Sequence, residues 1–275
     1  MVEIDYSNFL KITQNPHFSS THQPQFTKDF AGVYRNNIHL SPFFTDIKAL
    51  ADNIKSPNII CVKKGGNYLI SGDEECSSYD NVLYEFFVNC VHESDGAIWL
   101  RFSTNNLRDK ICALLSAHNP THLNRYNFRL NKGSFNILPN WRKQIPDGFM
   151  VEYFDAFTYD FRKKHHKTDE AFFPESKRFA FATLFDDKII SECFSVFVEN
   201  DMAEIGIHTY DDRYKRQGLA FLTASAFIEH CNNNNLETSW SCDYNNYSSI
   251  SLAKKLGYEL LNEEIGVRIE KNDTE

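Results

Sequence analysis

Apolar positions in the second half of the chain change period in a regular order. Residues 178–185 and 188–198 are rich in aromatic and β-branched side chains, and Asp186-Asp187 between them marks a tight turn, so the pattern predicts a long hairpin. Residues 203–209 alternate as a strand. Helical spacing runs from Gln217 to about Asn233, a short strand follows at 238–243, and a second helix extends from Asn246 to Leu256. Residues 258–269 read as one or two further strands. A hairpin followed by β-α-β-α-β predicts an α+β fold: a mixed, mostly antiparallel sheet with flanking helices.

The first half mixes the two periods and reads as an α/β-type domain. Residues 58–63 and 67–71 flank Lys64-Gly65-Gly66, which suits a hairpin because glycine accepts the positive φ of a tight turn. Asp80 can cap a helix carrying Leu83, Phe86, Phe87, Cys90 and Val91 at helical spacing. A strand at 97–102, a helix with Leu107, Ile111, Leu114 and Leu115, and an extended segment at 126–130 follow. Gly133, Pro139, Pro146 and Gly148 crowd the middle of the chain, so the sequence places a boundary near 140–147. It separates an N-terminal domain, 1–142, from a C-terminal domain, 143–275.

Composition narrows the class. At 275 residues, 42% hydrophobic and 15% aromatic, the chain can bury a full core without staples. No run approaches the ~18 apolar residues of a membrane span. The start holds Glu3 and Asp5 rather than a basic region before an apolar stretch, so neither a signal peptide nor a membrane partner is expected. Seven cysteines are scattered without a C-x-x-C, which fits reduced thiols and a cytoplasmic location. A net charge of −8 disfavours broad nucleic-acid binding.

The chemistry concentrates at 204–220. A strand enters a basic loop containing Arg213, Lys215 and Arg216, and Gly218 then opens an amphipathic helix. Unsatisfied N–H groups at a helix start converge on one point and the dipole adds partial positive charge, so this is an anion cradle. Gly218 removes a Cβ that would hold a pyrophosphate off the backbone, and Ala220 keeps the first turn slim. Ordinary helix capping is the competing reading of the glycine.

The continuation adds a resemblance. Lys215-x-x-Gly218-x-Ala220 resembles the Q/R-x-x-G-x-G/A loop of the GNAT (GCN5-related N-acetyltransferase) superfamily. Asn246-Tyr-Ser-Ser-Ile-Ser-Leu-Ala-Lys-Lys-Leu-Gly-Tyr258 resembles its second motif, N-x(9)-K-L-G-F. A finer likeness, to the zwittermicin A resistance-type acetyltransferases, rests on Ala203-Glu-Ile-Gly-Ile-His-Thr209, Gly218-Leu-Ala220, Phe227-Ile-Glu-His-Cys231, Trp240-Ser-Cys-Asp243 and Leu252-Ala-Lys-Lys-Leu-Gly257, with Arg125-Tyr-Asn-Phe128 in the first half. The resemblance implies a GNAT-like acyl-CoA N-acyltransferase fold, with the N-terminal domain a degenerate copy or a substrate cover. It implies acetyl transfer from acetyl-CoA, with no metal, to an amine of an acceptor read as a small molecule that enters between the two halves. The pantetheine arm would pair with the backbone of Ile207 and Thr209 in a gap between two splayed strands. Lys215, Arg216, Gln217, Gly218, Leu219 and Ala220 would hold the pyrophosphate, and Asn246 would bond the pantetheine or shape its slot.

An amine with a pKa near ~10.4 is protonated at neutral pH, so its attack on a thioester needs a base or a water relay. Glu204 is the first candidate, sharing a strand face with Gly206 and His208; a salt-bridged or solvated glutamate is the alternative. His208, with an ordinary pKa of ~6.5, is the second, against a buried packing histidine. Asp243 would orient the amine or cap a helix. The tyrosine that many GNAT enzymes carry seven residues after the asparagine is Ala253 here, so the general acid stays unassigned, with Tyr244, Tyr247 and Tyr258 nearby. That departure supports the competing hypothesis of an inactive acyl-CoA-binding module acting as a sensor or partner surface. The basic run 162–167 reads as a solvated face. His118 and His122 have metal-like spacing, but Pro120 interrupts the helix that would align them. Cys231 and Cys242 read as small buried hydrophobes rather than an acyl relay.

Overall fold

Strands and helices begin and end where the chain's turn residues stand. The computed structural model describes residues 1–4, 48–52, 58–64, 66–78, 80–94, 96–155, 179–199 and 201–271. These divide into two compact units, Met1–Arg125 with Glu263–Glu275, and Tyr126–Asn262. The basic run at 162–167 lies outside the described residues.

In the first unit, β1 (Val2–Ile4), β2 (Lys48–Ala51), β3 (Ile59–Lys64) and β4 (Asn67–Gly72) pair antiparallel in succession. The expected hairpin is β3–β4. Helix α1 (Asp80–Glu93) then crosses to β5 (Ala97–Phe102), which lies parallel to β4, and α2 (Asn105–Leu114) follows. Helix α1 buries Leu83, Phe87, Cys90 and Val91, one stripe at helical spacing, in a cluster with Tyr68, Ile70 and Leu100. Helix α2 starts at an N-cap, Thr104, whose side chain accepts from Leu107 N at 3.1 Å. Strand β6 (Thr121–His122) completes the unit's own sequence.

The second unit repeats this order. After β7 (Arg125–Leu130) and the short α3 (Lys132–Asn136) come β8 (Phe149–Phe154), β9 (Ala180–Phe185), β10 (Lys188–Glu199) and β11 (Met202–Thr209), again antiparallel in succession. Helix α4 (Leu219–Asn233) crosses to β12 (Glu237–Asp243), parallel to β11, and α5 (Tyr247–Lys255) follows. Asp186 and Asp187 both take positive φ, 48° and 58°, as a type I′ turn requires. The chain ends in one long strand, β13 (Tyr258–Glu270). Strand order is β1-β2-β3-β4-β5-β13 in the first unit and β13-β7-β12-β11-β10-β9-β8 in the second. Strand β7 thus lies beside β12, while β6 and the end of β13 pair with each other and β13 lies beside β5.

The segment 138–148, expected as a connector, is part of the second unit. Leu138, Trp141 and Ile145 pack against that unit's core. The Trp141 indole donates to Glu229 at 3.0 Å, and Arg142 pairs with the same carboxylate at 2.7 Å. Its proline and glycine residues shape a turn over a packed surface, and the division between units falls at 125/126.

The second core surrounds α4, whose residues 219 and 221–228 are buried, together with Trp240, Phe179 and Tyr258. Phe227 is fully buried and stacks on Phe179 with ring centroids 4.7 Å apart. Phe227→Ala is expected to cost about 3–5 kcal/mol, read as a lowered urea midpoint. Ile137→Ala, at a site 85% exposed, should change stability by less than about 0.5 kcal/mol and leave the midpoint nearly unmoved.

Candidate active site

Strands β11 and β12 begin as a parallel pair, with Met202 opposite Glu237, Ala203 opposite Thr238 and Glu204 opposite Ser239. Among the described residues the ladder stops there, leaving residues 205–209 and 240–243 without pairing between them. On its other edge β11 stays hydrogen-bonded to β10, and just past its end Tyr210 N donates to Ile190 O at 3.0 Å. Backbone groups alternate sides along a strand, so the amides of Ile207 and Thr209 turn toward the open edge.

Side chains on β11 alternate as well. Ala203 and Ile205 are buried in the core around α4, while Glu204, Gly206 and His208 point to the opposite face. A Cβ at Gly206 would stand 2.5 Å from the Phe194 ring, so a side chain there would have to displace that ring. Glu204 is half-buried, opposite a bulge where the register of β10 shifts between Ser195 and Phe197. A bulge aims neighbouring side chains out of the regular pleat.

His208 is exposed, not the buried packing histidine of the alternative reading, because it sits where the strands have already parted. Its ring lies 4.6 Å from that of Tyr210, and it stands opposite Glu192 in the β10 register. The Tyr210 hydroxyl donates to Glu192 Oε2 at 2.6 Å, and Glu192 is only 1% exposed. Sequence reasoning passed over both residues. The available signal was an acid in the middle of the apolar β10; what linked it to His208 is the cross-strand register.

Asp243 ends β12, half-buried, and its carbonyl accepts from Asn246 N at 2.9 Å. Asn246 is the N-cap of α5. Its Oδ1 accepts from Ser249 N at 3.1 Å and from Ser248 Oγ at 2.9 Å, so that oxygen serves the helix and the Nδ2 remains for other work. Ala253 is fully buried in the core beneath α5, and a tyrosine placed there would enter the packing around it. Tyr258 is excluded as an acid: it is buried, its hydroxyl donates to Thr238 Oγ1 at 2.6 Å, and burial raises its pKa well above the usual value. Tyr244 and Tyr247 are exposed, Tyr247 by 75%.

Between β11 and α4 the chain forms a single 3-10 turn, Asp212–Tyr214, capped by Asp211. Two of the three expected cations have acidic neighbours. Arg213 forks onto Asp211 with bonds of 2.5–3.1 Å, and its guanidinium holds that carboxyl below the usual carboxylate range. Lys215 pairs with Asp212 at 2.5 Å. All are surface pairs, weak enough for a phosphate to replace one partner with another. Arg216, with φ of 62°, is exposed and has no ion pair among the described residues. The Gln217 amide donates to Arg213 O at 2.7 Å and closes the loop on itself.

Gly218 is the N-cap of α4, with φ of 84° and no side chain to cap the first turn. A Cβ on it would meet nothing within 4 Å. Its role is therefore conformational, and the space above it is open to a ligand. The N–H groups of a first turn have no intrahelical partner, so they and a dipole of about half an elementary charge face that space. Leu219 is buried below and Ala220 is half-buried. Cys193, Cys231 and Cys242 are all buried; burial pushes the Cys231 thiol up to about 12, far from a nucleophilic thiolate at neutral pH. His118 ends a 3-10 turn with its ring near His92, and His122 lies on β6 near Cys112, so the two histidines serve different elements.

Three comparisons bear on this geometry. A family model described as GNAT acetyltransferase matches residues 45–264. The chain is 28% identical over 208 residues to an uncharacterised N-acetyltransferase of Bacillus subtilis, covering 73% of this chain and 76% of that protein. Among solved structures, a GCN5-related N-acetyltransferase-like protein from Streptococcus suis superposes with a TM-score of 0.60 at 17% identity, over 86% of this chain and 92% of that one. A tandem GNAT protein of the clavulanic acid biosynthesis pathway superposes at 0.54 with 10% identity, over 98% and 95%. The fold is GNAT-like, and with most of its length matched by the family model the chain belongs to the GNAT acetyltransferase family.

Proposed function

We propose that this chain transfers an acetyl group from acetyl-CoA to an amine on a small molecule, with the coenzyme held in the second unit. One observation carries the reading. The parallel pair β11–β12 parts just beyond Glu204, and the strand that leaves the ladder leads through the basic loop 210–217 to the uncapped start of α4. A slot with free backbone amides that ends at an anion cradle matches a ligand whose extended amide-bearing arm ends in a pyrophosphate. The resemblance of residues 203–257 to zwittermicin A resistance-type enzymes supports a small molecule as acceptor. The free thiols of all seven cysteines agree with a cytoplasmic setting, and no described helix is long and apolar enough to cross a membrane.

The chemistry runs as a direct attack. The neutral amine adds to the thioester carbonyl while the amides of the open edge of β11 stabilise the oxyanion. The new C–N bond forms, the C–S bond breaks, and the surplus amine proton passes to the Glu204 carboxylate directly or through water. A thiol with a pKa near ~8.5 leaves as the thiolate without an acid of its own and takes its proton from solvent. Asp243 and His208 border the same face and orient the acceptor. The buried position of Ala253 favours a second reading, a coenzyme-binding module without turnover.

Acetyl-CoA is expected to raise the melting temperature, since about 100-fold excess over Kd adds ~2.7 kcal/mol to a protein that binds only when folded; no shift under saturation would sink both readings. Glu204→Gln should lower turnover by about 10²–10⁴-fold while Kd for CoA holds. That is measured by thiol release over a panel of amines. A wild-type protein that binds CoA and releases no thiol with any amine would decide for the binding module, and equal rates in the variant would remove Glu204 as the base.

A further inference from the structure

The two units repeat one order of elements. In both, four antiparallel strands lead to a helix, a strand parallel to the fourth, and a second helix: β1-β2-β3-β4-α1-β5-α2 and β8-β9-β10-β11-α4-β12-α5. The places that correspond to the slot and the cradle are therefore known in the first unit. Both are built differently.

The slot is cut short. Strands β4 and β5 stay paired from Asn67 opposite Trp99 to Ile70 opposite Phe102, and the ladder extends one bond further, with Ser103 N donating to Ile70 O at 3.2 Å. In the second unit the equivalent ladder ends with β11 only part-used. In β4 only Ser71 and Gly72 lie beyond the ladder, against residues 205–209 of β11, so an arm that pairs with strand edges finds too short an edge between β4 and β5.

The cradle is filled. The chain from β4 to α1 carries Asp73, Glu74 and Glu75, and α1 opens with Asp80. Lys110 of α2 reaches into it. Its ammonium donates to the carbonyls of Cys76 and Glu74 and pairs with Asp80 Oδ1 at 2.9 Å. The Glu74 carboxylate is fixed from the other side by Thr104 Oγ1 at 2.5 Å and Asn106 Nδ2 at 2.7 Å. At the same station the second unit has three cations, Arg213, Lys215 and Arg216, against two carboxylates, Asp211 and Asp212, around an open glycine.

We infer that the chain binds one coenzyme, in the second unit alone, and that in the first unit the Lys110 ammonium and its carboxylates occupy the station of the phosphates. A pyrophosphate arriving there would meet the carboxylates of Glu74, Glu75 and Asp80 and would have to break three bonds of Lys110. Like charges brought together in this way disfavour binding at every ionic strength short of strong screening. The inference rests on the coenzyme reading proposed above and adds stoichiometry and place to it.

Isothermal titration of the full chain with CoA, which carries no acyl group to turn over, tests it. One equivalent is expected. Lys110→Ala should keep one equivalent with Kd within about twofold, because the carboxylates remain. Gly218→Asp should weaken binding by about 10-fold or more, by putting a carboxylate at the helix start. Arg216→Glu, at an exposed position that leaves the fold intact, should do the same with an unchanged melting temperature. Two equivalents in the wild type, or one equivalent at wild-type affinity in both loop variants, would overturn the inference. No binding at all by the wild type would instead overturn the coenzyme reading itself.

Discussion

Helix α4 is buried along residues 219 and 221–228, and a helix held on so many sides has no freedom in where its N-terminus emerges. Burial on that scale has to absorb two hydroxyl side chains. Thr223 and Ser225 each donate to the carbonyl four residues earlier, at 2.7 Å, and Thr223 also meets Thr183 of β9 at 2.9 Å. No polar atom of theirs is left wanting a partner in the core. The position of the anion cradle is therefore a by-product of hydrophobic packing. Gly218 supplies only the turn that brings the loop to the helix, at a φ that other residues reach with strain.

The same packing explains why the two faces of β11 and β12 differ. One face of β11 and β12 must serve α4 and α5, which consumes Ala203, Ile205, Trp240 and Cys242. The alternate positions, Glu204, Gly206, His208 and Asp243, joined by Glu192 from β10, are the ones left for the transfer proposed above. Ala253 belongs to the first set. On α5 it faces the core, so the proton donor expected at that place has no room here, and the bond between Tyr258 and Thr238 occupies a neighbouring part of the same core.

Much of this could be read along the chain, because the second half follows local rules. The hairpin turn at Asp186-Asp187, the helix starts at Gly218 and Asn246, and the alternation of β11 all fall within a residue or two of where the pattern put them. Three features could not be read that way, each depending on residues far apart in sequence. His208 is exposed because β12 diverges from it. The pairing of Tyr210 with Glu192 is a matter of register. The division of the chain at 125/126, rather than at the proline-rich segment, follows from β7 and β13 each joining a sheet beyond the helix that precedes it. The acids at 211 and 212 were legible, yet their hold on Arg213 and Lys215 depends on the 3-10 turn that brings them round.

The placement of β13 gives the molecule a direction in time. Residues 126–262 form a unit that is continuous in sequence, whereas the first unit needs residues 263–275 to set the partner strand against β5. Domains usually finish in the order in which the ribosome delivers them. Here the half synthesised first waits for Ile265–Glu270 to emerge, with that edge of β5 uncovered until they arrive. The half that carries the cradle has its whole complement earlier, so the later-made unit is the one able to fold first.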